Sequence, residues 1–190
     1  PILRSNAAKF VVDHHMEPKE FAHHYYVDTD ASSAGEMVYN IIKMDEELKL
    51  DKKICDALYA AIMTDTGSFR FPRTDGEVHR IIAELLDYDA DPVYLYDEIY
   101  NTLPVGGFRL MGCAFKSTEL HYDNKLAMMK IAREDFKTSY AVEEEVENIV
   151  ENSLSIKGVN VGILVTEMPD RNEFRISFRS KGEYSVRELA

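Results

Sequence analysis

Residues 11–15, Val-Val-Asp-His-His, constrain the fold more than any other stretch of the chain. Two β-branched residues followed by polar ones predict a short buried strand over residues 9–12. In an α/β domain the residues after a parallel strand lie in the crevice where ligands bind. Asp13 and His14 would there be able to ligate Mn²⁺ or a similar ion, and His15 would contact substrate or pass a proton. The alternative is a pair of solvated loop histidines beside a capping aspartate.

The second candidate cluster is residues 64–69, Thr-Asp-Thr-Gly-Ser-Phe. It places Asp65 near the end of a predicted helix, beside a glycine that gives the chain freedom to turn. Such a turn would hold a carboxylate rigidly, as a metal ligand requires. Taken alone, it would equally be an ordinary helix stop. Arg70 and Arg73 follow and would either meet phosphate oxygens or be surface charge.

The rest of the first half predicts helices around one strand. Residues 16–30 are predicted to be a loop. Four helices should follow, and Asp51, either Thr74 or Asp75, and Asp91 are the expected N-caps of the last three. Their expected limits are residues 31–44, residues 51–63 with Asp51 as cap, a helix capped by Thr74 or Asp75, and a helix from Pro92 to about Leu103.

The second half mixes strands with helices. A helix over residues 105–117 should connect the halves, and residues 120–131 predict a hairpin that turns at Asp123-Asn124. An acidic amphipathic helix is predicted over residues 141–154, followed by strands over residues 159–167 and 173–179. Ser185 and Glu188 form a capping box that should open one more helix.

Charge and cysteine content limit the partners and the compartment. The formal net charge of −12 argues against binding long duplex nucleic acid, which needs a basic surface. It is compatible with a small phosphorylated substrate, because bound divalent ions would supply positive charge locally. No apolar run is long enough for a membrane span. Cys55 and Cys113 lie far apart in apolar stretches, which indicates reduced thiols and a cytoplasmic protein.

Together the two clusters resemble the phosphoesterase superfamily named for its Asp-His-His (DHH) motif. Residues 12–15 are similar to that family's third motif and residues 64–69 to its fourth. The sequences of residues 64–69 and 28–36 resemble those of one branch of the family. These are the oligoribonucleases (nano-RNases) that also remove phosphate from 3′-phosphoadenosine 5′-phosphate (pAp). The second half resembles the associated DHHA1-type substrate-binding domain, in which residues 178–180, Phe-Arg-Ser, look like the substrate-gripping strand.

The resemblance implies roles for the matching residues. His14 and Asp65 would be ligands of a two-metal centre, with Mn²⁺ as the usual ion and Mg²⁺ as the alternative. His15 would face the scissile phosphate, and Asp13 would support the site. A metal-activated water would attack phosphorus in line.

Substrate contacts are implied as well. Arg179 and Ser180 would hold a phosphate or nucleotide from the second domain, and Arg70 would be a further contact. The partner would be a short oligonucleotide or a phosphorylated nucleotide. A homodimer is a further expectation, and a membrane partner is not expected.

The implied fold is α/β. Residues 1–103 would form the C-terminal part of a DHH-type parallel-sheet domain, residues 104–117 a linker helix, and residues 118–190 a smaller mixed α/β DHHA1-type domain. The family's first two motifs, which supply further aspartate ligands, normally precede the Asp-His-His. We therefore expect an internal piece of a longer protein, which alone binds metal weakly and does not turn over.

Other functions remain open at this point. The same chemistry would serve on polyphosphate, pyrophosphate or cyclic dinucleotides. A non-catalytic, nucleotide-binding relative is the alternative from a different class, although such a module has no need of Asp13, His14, His15 and Asp65 together.

Overall fold

The computed structural model describes residues 4–16, 18–182 and 184–186. The chain divides into two compact units, Pro1–Asn101 and Thr102–Ala190. The helix predicted to open at Ser185 and Glu188 extends outside the described residues. The prediction of an α/β protein is confirmed, since each unit combines helices with a sheet that contains parallel strands.

The first unit has a two-stranded parallel sheet followed by four helices. The elements are β1 (Phe10–Asp13), β2 (His24–Val27), α1 (Ala34–Met44), α2 (Lys52–Asp65), α3 (Gly76–Asp87) and α4 (Pro92–Tyr100). Asp13 lies opposite Val27 in the ladder. The strand predicted over residues 9–12 is confirmed one residue further on.

The loop predicted over residues 16–30 is wrong, because it contains β2. All four residues of β2 are exposed. A strand without a buried face lacks the alternation of apolar and polar residues by which strands are detected in a sequence.

Aspartate caps fix the starts of α2, α3 and α4, as predicted. Asp51 accepts a hydrogen bond from the backbone N–H of Ile54 at 2.9 Å, and Asp91 accepts one from Tyr94 at 3.0 Å. Asp75, rather than Thr74, caps α3. Each cap satisfies an N–H group that the helix itself leaves without a partner. α4 ends at Tyr100, before the predicted limit.

The core of the first unit is formed by the facing sides of α1, α2 and α3. Its fully or nearly buried residues are Tyr39, Cys55, Leu58, Tyr59, Ile62, Met63, Val78, Ile81, Ile82, Leu85 and Ala90. Val38 and Ile41 of α1 are exposed and lie outside this core. α1 and α2 approach closely at Gly35, where an added Cβ would lie 2.8 Å from the Ala61 Cβ.

A polar contact joins α1 to α3 beside this core. The Tyr39 hydroxyl donates to Glu84 Oε2 at 2.6 Å, and Lys43 Nζ donates to Glu84 Oε1 at 2.8 Å. These hydrogen bonds, with that from Lys43 first, hold the pKa of Glu84 below its usual range. Burial and the same carboxylate raise the pKa of Tyr39.

The second unit has a four-stranded mixed sheet. Its elements are α5 (Val105–Lys116), β3 (Glu119–His121), β4 (Leu126–Ile131), α6 (Arg133–Ser139), two 3₁₀ helices (Glu143–Val146 and Ile149–Ser155), β5 (Val161–Glu167) and β6 (Phe174–Ser180). The sheet order is β3-β4-β5-β6, with β4 and β5 parallel and the outer pairs antiparallel. The predicted hairpin is confirmed, and Asp123 and Asn124 adopt positive φ at its turn.

The single α-helix predicted over residues 141–154 is wrong. Asn148 has a φ of 65° and separates two 3₁₀ helices. Val146, Ile149 and Val150 are buried, whereas Val142 is exposed. α6 was not predicted, because its seven residues contain one large apolar side chain, Phe136.

The helix predicted to connect the halves is α5, and it packs within the second unit. Leu110 and Ala114 of α5 are buried in a core with Phe136 and Leu164. The division into a catalytic domain, a linker helix and a substrate-binding domain stays a prediction.

Both cysteines carry free thiols, with Cys55 buried and Cys113 half-buried. Among the residues described, no helix has the length and apolar character needed to cross a membrane.

Candidate functional site

Three polar residues lie at the carboxyl end of β1. Asp13 is the last residue of the strand, and His14 and His15 follow it. The backbone N–H of Asp28, just beyond β2, donates to the Asp13 carbonyl at 3.1 Å and so extends the ladder to this point. The sheet therefore fixes the backbone from which all three side chains project.

Asp13 is bonded to His15 through one carboxylate oxygen. Asp13 Oδ1 accepts from the backbone N–H of His15 at 3.1 Å and lies 2.7 Å from His15 Nδ1. These bonds, the one with the imidazole first, lower the pKa of Asp13 below its usual range. The Asp13 side chain is 25% exposed and that of His15 is 74% exposed. The carboxylate is thus partly covered, while the ring reaches solvent.

His14 faces Asp65. Its Nε2 lies 3.5 Å from Asp65 Oδ2, and its side chain is 14% exposed. His14 Nδ1 is buried and has no hydrogen-bond partner among the described residues. The rings of His14 and His15 meet edge to face, with their centres 4.4 Å apart. The two histidines therefore turn different nitrogens to different carboxylates.

Asp65 is held at the end of α2 by the turn that follows it. α2 extends to Asp65, two residues beyond the predicted end at Met63. Thr66 Oγ1 donates to the Ile62 carbonyl at 2.6 Å and accepts from the backbone N–H of Phe69 at 3.0 Å. The predicted rigid placement of this carboxylate has a physical basis here, because a buried hydroxyl ties the helix end to the turn.

The turn has an uncommon backbone. Gly67, Ser68 and Phe69 have φ values of 56°, 57° and 66°. Such values are costly for residues with a Cβ, above all for a bulky one. Phe69 packs against the rings of Tyr59 and His79, at 5.8 and 6.0 Å between ring centres. This packing stabilises the turn that positions Asp65.

The separation of His14 and Asp65 fits one metal ion held by both side chains. Donors about 2.1 Å from an ion lie about 3.0 to 3.4 Å apart when their bonds make octahedral or tetrahedral angles. The observed separation of 3.5 Å is close to that range. Imidazole nitrogen and carboxylate oxygen are both suitable ligands for Mn²⁺. Within the described ranges, no group of three or more side chains of the metal-binding types comes together.

Arg70 lies on the turn after Asp65. Its Nε donates to the Gly67 carbonyl at 2.6 Å, which fixes the side chain against the turn. Asp13, His14, His15 and Asp65 are thus brought together in the first unit, with Arg70 on the adjoining turn.

Arg179 and Ser180 lie at the end of β6 in the second unit. Arg179 Nε donates to Glu151 Oε1 at 3.0 Å, and Arg179 Nη1 donates to the Phe178 carbonyl at 3.0 Å. Consecutive residues of a strand point to opposite faces of the sheet. Arg179 and Ser180 therefore do not share a face, and the arginine already has an acidic partner.

The sequence reasoning missed two residues near these groups. Asp28 follows β2 as Asp13 ends β1, and its Oδ1 accepts from the N–H of Asp30 at 3.0 Å. Its signal was the repeated pattern of Val-Val-Asp and Tyr-Val-Asp at residues 11–13 and 26–28. The second is Glu151, whose contact with Arg179 across 28 positions leaves no local pattern.

Comparisons with known proteins give the family. A model described as "DHH family, N-terminal domain" matches residues 2–62. The chain is 29% identical over 180 residues to the bifunctional oligoribonuclease and PAP phosphatase NrnA of Bacillus subtilis, covering 94% of the chain and 56% of that protein. It is 31% identical over 170 residues to the probable bifunctional oligoribonuclease and PAP phosphatase NrnA of Streptococcus mutans, covering 90% and 54%.

A solved structure has the same fold. It is the crystal structure of an exopolyphosphatase-related protein from Bacteroides fragilis, with a TM-score of 0.91 and 28% identity over 99% of this chain and 55% of that one. The chain thus spans about half the length of the relatives it matches. Two motifs in order, a family model and relatives along nearly the whole chain lead to one conclusion: residues 2–62 match the DHH family, and the chain is similar to the NrnA proteins along nearly its whole length.

Proposed function

We propose that this protein is a metal-dependent phosphoesterase that hydrolyses short oligonucleotides and pAp. The observation that supports this most is the facing pair of His14 Nε2 and Asp65 Oδ2 at the carboxyl end of β1, with His15 beside it. The names of the NrnA relatives support the substrate class.

His14 and Asp65 would hold the ion, which we propose to be Mn²⁺, with Mg²⁺ as the alternative, in a two-metal centre. A bound divalent ion would lower the pKa of water and offset the charge of the phosphate. His15, exposed and tied to Asp13, would contact the scissile phosphate. Arg70 would attract phosphate oxygens from the turn after Asp65. In these roles the chain would hold the ion through two ligands, His14 and Asp65, and would orient the substrate around it.

The second unit would bind the rest of the substrate. We propose that Arg179 holds a phosphate there and that Ser180 contacts the nucleotide. The net charge of −12 disfavours a long duplex, which needs a basic surface, so a short substrate fits this chain better. A cytoplasmic location and a homodimer are the remaining proposals.

The test uses the full-length gene product with Mn²⁺. We expect release of mononucleotides from a diribonucleotide and of phosphate from pAp, with little cleavage of a long duplex. His14→Ala should lower turnover by two or more orders of magnitude while circular dichroism stays unchanged. His121→Ala, an exposed histidine on β3, is the control and should keep full turnover. Unaltered turnover in His14→Ala would remove this residue from the site.

A second substrate class has one observation in its favour. The Bacteroides fragilis structure is named as exopolyphosphatase-related. Assays on polyphosphate, pyrophosphate and a cyclic dinucleotide belong beside those on oligonucleotides. If polyphosphate alone were consumed, the nucleotide proposal would be wrong. Binding of nucleotide without turnover of any of these compounds would favour a non-catalytic relative.

The expectation that these 190 residues alone bind metal weakly and do not turn over stays a prediction. Robust Mn²⁺-dependent hydrolysis by the 190-residue chain would contradict it.

A further inference from the structure

We propose that Asp13 is a positioning residue that keeps the proton of the neutral His15 ring on Nδ1, so that Nε2 is the atom His15 presents to substrate. The inference rests on the proposed function only where it names substrate as the partner of Nε2. The placement of the proton itself follows from contacts within the first unit.

The hydrogen-bond geometry determines the donor. Asp13 Oδ1 lies 2.7 Å from His15 Nδ1, a distance typical of a strong, charge-assisted hydrogen bond. An ionised carboxylate has no proton to donate, so the ring nitrogen must be the donor. A neutral imidazole has one N–H group. With the proton on Nδ1, His15 Nε2 has a free lone pair.

The same oxygen also fixes the plane of the ring. Asp13 Oδ1 accepts the backbone N–H of His15 at 3.1 Å as well as the ring N–H. One acceptor therefore holds both ends of a short loop that runs through the His15 backbone and side chain. The ring of His14, 4.4 Å away and at 65°, packs against the His15 ring. These contacts favour one orientation of a side chain that is otherwise exposed.

Asp13 is rigid enough for this task. It is the last residue of β1, opposite Val27 in the ladder, and its carbonyl accepts the Asp28 N–H at 3.1 Å. Its carboxylate is 25% exposed, compared with 74% for His15. The order of support is therefore strand, carboxylate, ring: the sheet holds Asp13, and Asp13 holds His15.

The consequence concerns the edge of the ring that reaches solvent. His15 Nε2 makes no hydrogen bond to any residue in the described part of the chain. As a lone-pair nitrogen it accepts a hydrogen bond from a water or another donor. Asp13 thus determines that the solvent-facing nitrogen of the neutral ring is Nε2 with a free lone pair.

The experiment measures the tautomer directly. In the full-length, metal-free protein labelled with ¹⁵N-histidine, long-range ¹H–¹⁵N spectra at a pH where His15 is neutral distinguish the two ring nitrogens. The His15 signals are assigned by their loss in His15→Gln. We expect the pattern of an Nδ1–H ring in the wild type. In Asp13→Ala the ring should shift toward Nε2–H, the form that a free histidine side chain prefers.

Asp28→Ala is the matched control, because Asp28 follows the neighbouring strand and its side chain bonds within its own loop. It should leave the His15 pattern unchanged. An Nε2–H ring in the wild type would overturn the inference, and so would an unchanged pattern in Asp13→Ala. The measurement needs neither metal nor turnover. If His15 carried its proton on Nδ1 in a protein that hydrolyses none of the substrates, the proposed function would be wrong and the inference about the proton would still hold.

Discussion

Single carboxylates decide what their basic neighbours can do in both units. Asp13 engages the ring of His15, Asp65 faces His14, and Glu151 occupies Arg179. In the second unit this means that the proposed phosphate ligand is already paired. Any phosphate that binds Arg179 must compete with a carboxylate on the same guanidinium.

We predict that Glu151→Gln raises the affinity for pAp. The Arg179–Glu151 pair is about half exposed on both sides, and such pairs contribute about 0–1 kcal/mol. Removing the competitor should therefore tighten binding by up to about fivefold, measured by calorimetry with the full-length protein. Glu147→Gln removes the same charge from an exposed residue of the same segment. An equal gain in both variants would mean that net charge, rather than the pair, limits binding.

The backbone at residue 67 gives a second prediction. Gly67 has a φ of 56°, and an added Cβ would lie 2.5 Å from the Phe71 ring. Gly67→Ala should lower the free energy of unfolding of the first unit by about 1–3 kcal/mol. Urea unfolding, monitored through amide hydrogen exchange in α2, would measure this loss. Gly76→Ala serves as the control, since its nearest neighbour is the flexible end of Arg80 at 3.4 Å. Equal losses in both variants would contradict the special role of the turn.

At the scale of elements, α1 and α3 are joined through Glu84. The lowered pKa of Glu84 means that the folded state binds its proton less tightly than the unfolded chain. The stabilisation is therefore fully present above the unfolded pKa of about 4.3 and is lost as pH falls through the lower folded value.

We predict that Glu84→Gln makes the first unit less sensitive to acid. Its free energy of unfolding at pH 7 should fall by about 1 kcal/mol, and the difference from the wild type should shrink toward pH 3. Unfolding at a series of pH values measures this. Glu46→Gln replaces an exposed glutamate away from this contact, and its free energy of unfolding should change with pH as in the wild type. If Glu84→Gln also showed the wild-type dependence on pH, the proposed role of Glu84 would be contradicted.

Elements with local signals could be predicted from the sequence. Asp51, Asp75 and Asp91 cap helices through hydrogen bonds to residues two or three positions away, so the pattern itself contains the contact. The turn at Asp123-Asn124 has the same character. β2 could not be predicted, because its exposed side chains show no buried face. The break at Asn148 is set by packing of Ile149 and Val150 against the sheet, which overrides the helical pattern of residues 141–154.

The candidate site, too, could be predicted only as far as local sequence patterns reach. Both motifs are visible in the sequence, and their resemblance to the DHH family indicates that they belong together. The 3.5 Å approach of His14 to Asp65 depends on how α1 and α2 pack, which no local pattern contains. The bond from Asp13 to His15 lies within three residues, yet rotamers decide it rather than residue types.

For the whole molecule, the chain has two separate cores. Ile62 is fully buried in the first and Leu164 in the second. Each replacement by alanine removes packing that costs about 2–5 kcal/mol. We predict that Ile62→Ala lowers exchange protection mainly in the first unit and Leu164→Ala mainly in the second, as read by hydrogen exchange with mass spectrometry. Uniform loss along the chain in either variant would contradict the predicted division into domains.

The close approach at Gly35 has a consequence for how the site could be tuned. α1 packs on both β1, which leads to His14, and α2, which ends at Asp65, so it acts as a spacer between the two elements. Because an added Cβ would lie 2.8 Å from Ala61, even one methyl group at residue 35 would push the spacer outward. The gap between imidazole and carboxylate is therefore adjustable from a position that touches neither. Substitutions of increasing size at residue 35 would show how much separation between His14 and Asp65 the site tolerates.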